Sequence, residues 1–249
     1  MKFTQDIQIG YFVKRPNRFI AYVEINGTVE VCHMPNPGRM WELLFPGAAV
    51  YVRHVGKTER KTAYDVVGIE RDGVPILLDT QYNNDIAAKL IQEHRIPGWE
   101  EWSLLRREVT VGDSRFDLLL HKGKELFYLE VKSCTLFGKS GAMFPDAVTE
   151  RGRKHIAELA AMHDDGYHTG VLFLVHWDRA RWFLPDYHTD TDFAATFMEC
   201  APKLDWKPFP CGGRRSFPAG AGPALVVSRR GAAAGKSRLR RLYARHVLA

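Results

Sequence analysis

The chain has 249 residues, of which 45% are hydrophobic and 26% are charged, a balance typical of a soluble globular protein with one large or two small domains. The amino-terminal segment contains no long apolar run, so the sequence indicates neither a signal peptide nor a membrane span. The four cysteines are scattered and include no C-x-x-C pair, which is typical of reduced thiols, and we expect a cytoplasmic protein.

The net charge of +6 is distributed unevenly along the chain. Residues 211–249 contain nine Lys or Arg residues and no acid, whereas residues 1–210 contain 26 basic and 29 acidic residues. We therefore predict a basic, poorly ordered tail over 211–249. Such a tail can bind nucleic acid by neutralising phosphates, or it can be a solvated extension without a partner, and the sequence leaves both readings open.

The first predicted elements are short strands. Residues 19–80 alternate β-branched and aromatic runs with turn signals such as Asn26–Gly27 and Asp72–Gly73. Five such strands predict a small closed barrel of the OB type, which we assign to a domain over residues 1–83. The predicted strands are Phe19–Asn26, Thr28–His33, Ala48–Val55, Thr62–Ile69 and Pro75–Asp79.

A loop with two prolines and a glycine, Met34–Arg39, follows the second strand. Basic and aromatic residues near this loop could form a platform that stacks bases and contacts phosphates of nucleic acid, with Arg18 and Arg39 as DNA-binding residues. Structural aromatics with ordinary surface charges are the alternative interpretation. The other residues of the predicted platform are Tyr11, Phe12, Lys14, Arg15 and Trp41.

A predicted helix at Asn84–Glu93 opens a second domain, which we assign to residues 84–210. Its pattern alternates strand and helix, as in an α/β fold. Strands are predicted at 104–111, 115–121, 126–132 and 170–176, and helices at about 149–163 and 192–200. The strand at 170–176 is continuously apolar, as expected for a strand covered on both faces.

Two carboxylates and an ammonium interrupt the apolar hairpin of this domain, in the pattern Asp117, Glu130, Lys132. Side chains alternate along a strand, so Glu130 and Lys132 share one face, and antiparallel pairing places Asp117 opposite Leu129 or Glu130. Carboxylates are preferred ligands of Mg²⁺, and such a metal lowers the pKa of a bound water. A nearby lysine can orient that water. The pattern predicts a metal site for phosphodiester cleavage.

Two further features accompany this hairpin. Glu108, near the preceding strand, is predicted either as a third metal-binding carboxylate or as an exposed strand-end charge. Arg151, Lys154, His155 and Glu158 share one face of the predicted helix, which favours phosphate capture, although a solvated helix face is the alternative. The segment 137–142 is predicted as a mobile loop over the site.

These motifs resemble those of the bacterial and archaeal sugar fermentation stimulation protein A family. The resemblance covers roughly residues 7–208. The stretches that carry it are Arg18–Ala21, Pro35–Met40, Leu43–Gly47, Ser114–Asp117, Leu129–Lys132 and Phe144–Gly152. The chain departs from the family pattern at Pro37, where threonine is usual, and at Met34, where cysteine is common.

The resemblance implies an N-terminal OB-fold joined to a C-terminal domain similar to PD-(D/E)xK nucleases. It further implies binding to DNA without strong sequence preference and a link to the regulation of sugar (maltose) metabolism genes. By position, the nuclease-like residues of the family fall on Asp117, Glu130 and Lys132.

Our hypothesis is a DNA-binding protein in which Asp117 and Glu130, with Glu108, hold Mg²⁺ or Mn²⁺. The Val131 carbonyl is a further ligand in this hypothesis. Lys132 positions water, while Arg151 and Lys154 hold phosphate. The main alternatives are a transcription regulator that keeps the fold without chemistry and, more weakly, a sugar-phosphate-binding protein. The sequence leaves open whether the chain forms a homodimer.

Overall fold

The structure, a computed structural model, describes residues 7–55 and 60–211. The chain divides into two compact units between Asn83 and Asn84. Apart from Cys211, the predicted basic tail lies outside the described residues. Within the described part of the chain, no helix combines the length and the apolar character needed to cross a membrane.

The first unit is a strongly bent sheet in the order β3-β2-β1-β4-β5-β6. Parallel pairing of β3 with β5, through Cys32 with Tyr64 and His33 with Asp65, closes β1 to β5 into a barrel. This arrangement confirms the predicted OB-type barrel. The strands are β1 (Ile7–Asn17), β2 (Ile20–Ile25), β3 (Thr28–His33), β4 (Ala49–His54), β5 (Tyr64–Arg71) and β6 (Val74–Leu77), and a short 3-10 helix (Thr80–Tyr82) follows.

The identity of the fifth barrel strand differs from the sequence prediction. Strand β1 belongs to the barrel but is absent from the prediction. The predicted strand at Pro75–Asp79 corresponds to β6, which pairs with β5 and lies outside the closed ring. The exposed side of β1 carries Ile9 and Tyr11, so its sequence lacks the alternation of apolar and polar residues that reveals a half-buried strand. Its partners are distant in sequence, at β4 as well as β2.

The barrel interior is filled by alternate residues of β2, with Ala21, Val23 and Ile25 almost fully buried. Gly10 lies where β1 crosses β2. A Cβ at this position would stand 2.6 Å from Val23 Cγ1 and 2.9 Å from the Glu24 carbonyl oxygen, so only glycine allows the two strands this close approach.

The second unit contains a five-stranded sheet in the order β14-β12-β9-β8-β7 and a three-stranded sheet in the order β10-β11-β13. Strands β7, β8 and β9 form an antiparallel meander, and β12 and β14 extend it in parallel. The elements are α1 (Asn83–Gln92), β7 (Ser103–Val111), β8 (Ser114–Lys122), β9 (Glu125–Cys134), β10 (Leu136–Phe137), β11 (Gly141–Phe144), α2 (Glu150–Asp164), β12 (His168–Val175), β13 (Trp182–Pro185), α3 (Thr191–Cys200), a 3-10 helix (Ala201–Lys203) and β14 (Asp205–Pro210).

This topology confirms the predicted α/β fold. The parallel crossover from β9 to β12 contains α2, and both strands of the Asp117 hairpin are internal to the sheet. One face of the hairpin packs into a hydrophobic core that includes Trp99 and Trp102. Its contributors from the hairpin are Leu118, Leu120, Phe127, Leu129 and Val131. The alternation of side chains then sends Glu130 and Lys132 to the opposite face.

The prediction of a loop over residues 137–142 is wrong, because strand residues occupy both ends of this segment. Only a tight turn is present there, closed by the Gly138 amide donating to the Gly141 carbonyl, and Gly141 begins the buried strand β11. That strand pairs in parallel with β13, where the Trp182 ring lies so close to Gly141 that a Cβ would stand 2.1 Å from it. The Gly, Ser and Lys residues correctly indicate the turn, but the pairing partner lies about forty residues away and leaves no local signal.

Candidate metal and phosphate site

The register of the hairpin brings the two predicted carboxylates together. Leu118 pairs with Leu129, so the next position along the ladder places Asp117 opposite Glu130. Asp117 Oδ2 accepts a 2.7 Å hydrogen bond from the Val131 amide, and Oδ1 accepts one of 2.9 Å from Asn84 Nδ2. Both oxygens of Asp117 are thereby oriented by donors on neighbouring elements.

Glu130 is 4% exposed, and its two oxygens have different surroundings. Oε1 accepts from Lys132 Nζ at 2.5 Å and from His155 Nδ1 at 2.6 Å. Oε2 is buried and has no hydrogen-bond partner. A buried carboxylate oxygen without a partner is costly, and such exceptions call for a functional explanation or an ion.

The electrostatics distinguish the two carboxyl groups. Burial raises the pKa of Asp117, the charge of Glu130 raises it further, and the hydrogen bonds from Val131 and Asn84 oppose both effects only in part. Burial would also raise the pKa of Glu130, but the charge of Lys132 and the hydrogen bonds from His155 and Lys132 outweigh it, and the pKa is lowered. The pKa values of the two carboxyl groups are therefore shifted in opposite directions.

The two carboxylates fit a divalent cation with oxygen preference. Mg²⁺ usually keeps several waters and takes only one or two protein carboxylates, a demand that Asp117 and Glu130 can meet. The orphaned Oε2 is the atom best suited to be a ligand. Among residues 7–55 and 60–211, no group of three or more His, Cys, Asp or Glu side chains is arranged to hold a metal.

Glu108, the third carboxylate of the hypothesis, lies outside this pair. Its side chain is 58% exposed, its Oε1 lies 3.7 Å from Arg115 Nη2, and its backbone is left-handed with φ of 52°. The structure thus places it on an exposed part of β7, and its role as a ligand stays a prediction.

Helix α2 faces the pair, and its start is built by local contacts. Thr149 caps the helix through Oγ1, which accepts from the Gly152 amide at 3.0 Å, and the Thr149 amide donates to Asp190 Oδ2. A Cβ on Gly152 would stand 2.7 Å from Thr149 Oγ1, which explains a glycine so early in the helix. The cap fixes where the helix begins and thereby the positions of the basic residues in its first two turns.

The predicted cationic face of α2 divides in two. His155 is buried and contacts Glu130, and Arg151, which is exposed, donates from Nε to His155 Nε2 at 3.4 Å. Lys154 is exposed and lies 3.5 Å from Glu158 on the solvent side. Arg151 is therefore connected to the carboxylate pair through His155, whereas Lys154 pairs with Glu158 instead.

In the first unit, Arg15 supports the Pro-rich loop. Its guanidinium donates to the carbonyl oxygens of Arg18, Asn36, Gly38 and Arg39 at 2.5 to 3.1 Å. Arg15 therefore fixes the loop, which differs from the predicted role in a nucleic-acid platform.

The side chains that the loop displays are basic and aromatic. Arg18 and Arg39 are exposed, and the Arg39 guanidinium lies 5.1 Å from the ring centroid of Trp41, which is 72% exposed. Phe19 and Phe45 are also more than half exposed. Such rings with neighbouring cations are the chemical elements of a surface that stacks bases.

Sequence reasoning did not assign two contacts of the site. His155 was placed on the helix face without a role, although its spacing of four residues after Arg151 predicts that the two side chains meet. Asn84 gave no signal, because its hydrogen bond to Asp117 spans 33 residues.

Comparison with known proteins identifies two family models on this chain. Residues 13–78 match the SfsA N-terminal OB domain, and residues 81–204 match the sugar fermentation stimulation protein RE domain. Together the two models span most of the chain.

The chain is also similar to individual proteins. It is 42% identical over 194 residues to a sugar fermentation stimulation protein homolog of Clostridium botulinum, covering 78% of this chain and 84% of the relative. A homolog from Methanothermobacter thermautotrophicus is 39% identical over 186 residues, covering 75% and 78%. Among solved structures, that of Pyrococcus furiosus SfsA in complex with Ca²⁺ superimposes with a TM-score of 0.75 at 29% identity, covering 84% of this chain and 91% of that chain.

Proposed function

The chain belongs to the sugar fermentation stimulation protein family, and on that premise we propose a DNA-binding protein whose second unit cleaves phosphodiesters with a divalent metal. The observation that carries the proposal is the buried, unpartnered Oε2 of Glu130, which lies beside Asp117 on a sheet face opposite the hydrophobic core. The packing of the fold gives no reason for burying that oxygen without a hydrogen-bond partner.

We assign the metal, Mg²⁺ or Mn²⁺, to Asp117 and Glu130, with the Val131 carbonyl and Glu108 as further candidate ligands. A relative, the P. furiosus protein, was solved with Ca²⁺, a cation with the same preference for oxygen. When bound, such a metal polarises a phosphate and lowers the pKa of a bound water.

The remaining chemistry belongs to the side chains of the protein. Asn84 and the Val131 amide hold Asp117 in place, and His155 and Lys132 both occupy Oε1 of Glu130, so that Oε2 stays available. Lys132, whose side chain is 13% exposed, has an ammonium that can orient the attacking water and stabilise charge on the phosphate. Arg151 and Lys154 contact the phosphates of the bound strand.

In the first unit we propose that Arg18 and Arg39 contact phosphates while Trp41 stacks on a base. These contacts do not depend on base identity, which agrees with binding that lacks strong sequence preference. The nuclease proposal and the regulator alternative both require that this surface binds DNA. Only the activity of the second unit distinguishes cleavage of DNA from regulation of sugar-metabolism genes.

The decisive experiment incubates the protein with DNA and Mg²⁺ or Mn²⁺. The wild type and Lys124→Ala, which alters an exposed lysine in the turn of the same hairpin, should cleave the DNA. Asp117→Ala and Lys132→Ala should not. Equal DNA binding by all four proteins without cleavage would overturn the nuclease proposal and favour the regulator. Thermal stabilisation by sugar phosphates, with none by DNA, would favour the sugar-phosphate alternative.

A further inference from the structure

His155 lies between a metal-binding carboxylate and a phosphate-binding cation, and its two ring nitrogens have different partners. Nε2 lies 3.4 Å from Arg151 Nε, and Nδ1 lies 2.6 Å from Glu130 Oε1. These two contacts decide where the ring carries its proton.

The Arg151 contact fixes the role of Nε2. A guanidinium has only donors, so Nε2 must accept and carries no proton. Because Nε2 accepts, Nδ1 is the ring nitrogen that donates to Glu130 Oε1.

The position of the ring is also fixed. His155 is 4% exposed, it follows Arg151 by one turn of α2, and the Phe116 ring contacts it edge-on at 5.7 Å between centroids. A ring held in this way cannot rotate to exchange its two nitrogens without losing both hydrogen bonds.

We propose that His155, as the Nδ1–H tautomer, is a positioning residue with a dual role: its Nδ1 orients Glu130 for the metal, and its Nε2 orients Arg151 for a nucleic-acid phosphate. The Nδ1–H bond, together with Lys132, satisfies Oε1 and leaves Oε2 for the cation. The Nε2 acceptor holds Arg151 through Nε, a contact that does not use the two terminal nitrogens of the guanidinium, and these can donate to a phosphodiester. This inference rests on the proposed function, because it takes its ligands from that site.

The tautomer is tested directly on the full-length, metal-free protein. A two-dimensional ¹H–¹⁵N spectrum of the histidine rings distinguishes Nδ1–H from Nε2–H, and His155→Asn identifies the signal by its loss. We expect the Nδ1–H form. An Nε2–H form would overturn the proposal.

The dual role is tested with two variants that each replace one ring nitrogen by a side-chain amide and lose the other. Asparagine places its amide near the position of Nδ1, so His155→Asn keeps a donor to Glu130 and removes the acceptor for Arg151. Glutamine reaches the position of Nε2, so His155→Gln keeps the acceptor and removes the donor. Affinity for Ca²⁺ and affinity for a DNA duplex in EDTA are then measured separately.

We expect His155→Gln to lower Ca²⁺ affinity about 10–100-fold, as loss of a residue that orients a metal ligand does, with DNA affinity retained. We expect His155→Asn to keep Ca²⁺ affinity and to weaken DNA binding as much as Arg151→Ala does. Combined with Arg151→Ala, it should cause no additional loss. Fully additive losses, or equal effects of both variants on both ligands, would overturn the dual role.

These measurements separate this inference from the proposed function. If the wild type cleaves no DNA, the nuclease proposal fails, while the spectrum and the two affinities still decide the role of His155. If cleavage occurs and the spectrum shows the other tautomer, the nuclease proposal stands and the proposed role of His155 fails.

Discussion

The two units each bury a carboxylate among cations, and the two carboxylates differ in how completely they are paired. In the barrel, Asp65 is 4% exposed, and both of its oxygens are used: Oδ1 by His33 and Arg60, and Oδ2 by Arg53. In the second unit, Glu130 is equally buried, but its two donors share Oε1 and leave Oε2 unpaired.

The difference teaches how to separate a structural ion network from a site. In both units the cations outweigh the desolvation that would raise the pKa of the carboxyl group, and the pKa is lowered. Charge alone therefore does not distinguish them. A saturated carboxylate stabilises the fold, whereas a carboxylate with an unused oxygen keeps capacity for a ligand.

The largest effect is expected from breaking the saturated network. Asp65→Ala removes the carboxylate that His33, Arg53 and Arg60 share. Arg53, whose side chain is 12% exposed, then keeps only Asp79 as a carboxylate partner, and the free energy of unfolding should fall by about 3 kcal/mol, as measured by urea unfolding. Glu24→Ala, which removes an exposed carboxylate from β2 of the same barrel, is the control and should change it by less than about 0.5 kcal/mol. Equal effects of the two variants would show that the network does not stabilise the barrel.

A smaller effect is expected in the pH dependence of the free energy of unfolding, which also differs between the two units. Burial lowers the pKa of His176 from 6.5 to about 4. The unfolded chain then binds the proton first, so the stability contributed by neutral His176 is present above pH 6.5 and is lost as the pH falls toward 4. Between pH 6.5 and 5.0 the loss should reach about 2 kcal/mol. Asp65 adds no pH dependence in this window. Because its pKa is lowered, the stability that it contributes is lost only when the pH falls below 3.8, the ordinary pKa of an aspartate.

Urea unfolding at several pH values between 5 and 7 measures this loss, with His176→Asn as the comparison. The variant removes the titrating ring, so its stability should depend less on pH over this range, whatever its stability at pH 7. Parallel curves for the two proteins would contradict the assignment to His176.

The smallest effect is expected at the exposed aromatic residues. Trp41→Ala should weaken binding of single-stranded DNA by about 1–2 kcal/mol without changing stability, because base stacking is lost and the ring is 72% exposed. Tyr167→Ala, in the second unit, removes a ring that is 45% exposed and serves as the control. If both variants bind DNA like the wild type, the barrel surface proposed here does not stack bases.

The sequence predicted much of the fold because its signals are local. Alternation along β9 placed Glu130 and Lys132 on one face, and turn residues located most strands of the barrel. Strand β1 and the pairing of β11 with β13 escaped prediction, because they depend on partners that are distant in sequence.

The candidate site divides in the same way. Asp117, Glu130 and Lys132 follow from their spacing in one hairpin, and the register brings the two carboxylates together. The hydrogen bonds of Asn84 and His155 cross from other elements, and the unpaired state of Glu130 Oε2 is a property of the whole arrangement. Sequence spacing could not show which oxygen of Glu130 is satisfied.

The central claim is that the unused oxygen of Glu130 binds a metal, and a Ca²⁺ titration by calorimetry tests it most directly. Wild type and Asp65→Asn should bind Ca²⁺ with similar affinity, because Asp65 belongs to the saturated network. Glu130→Gln keeps an oxygen for Lys132 and His155 but loses the charge, and its affinity should fall by more than about 100-fold, beyond the effect of an indirect contact. Unchanged Ca²⁺ affinity in Glu130→Gln would contradict the claim.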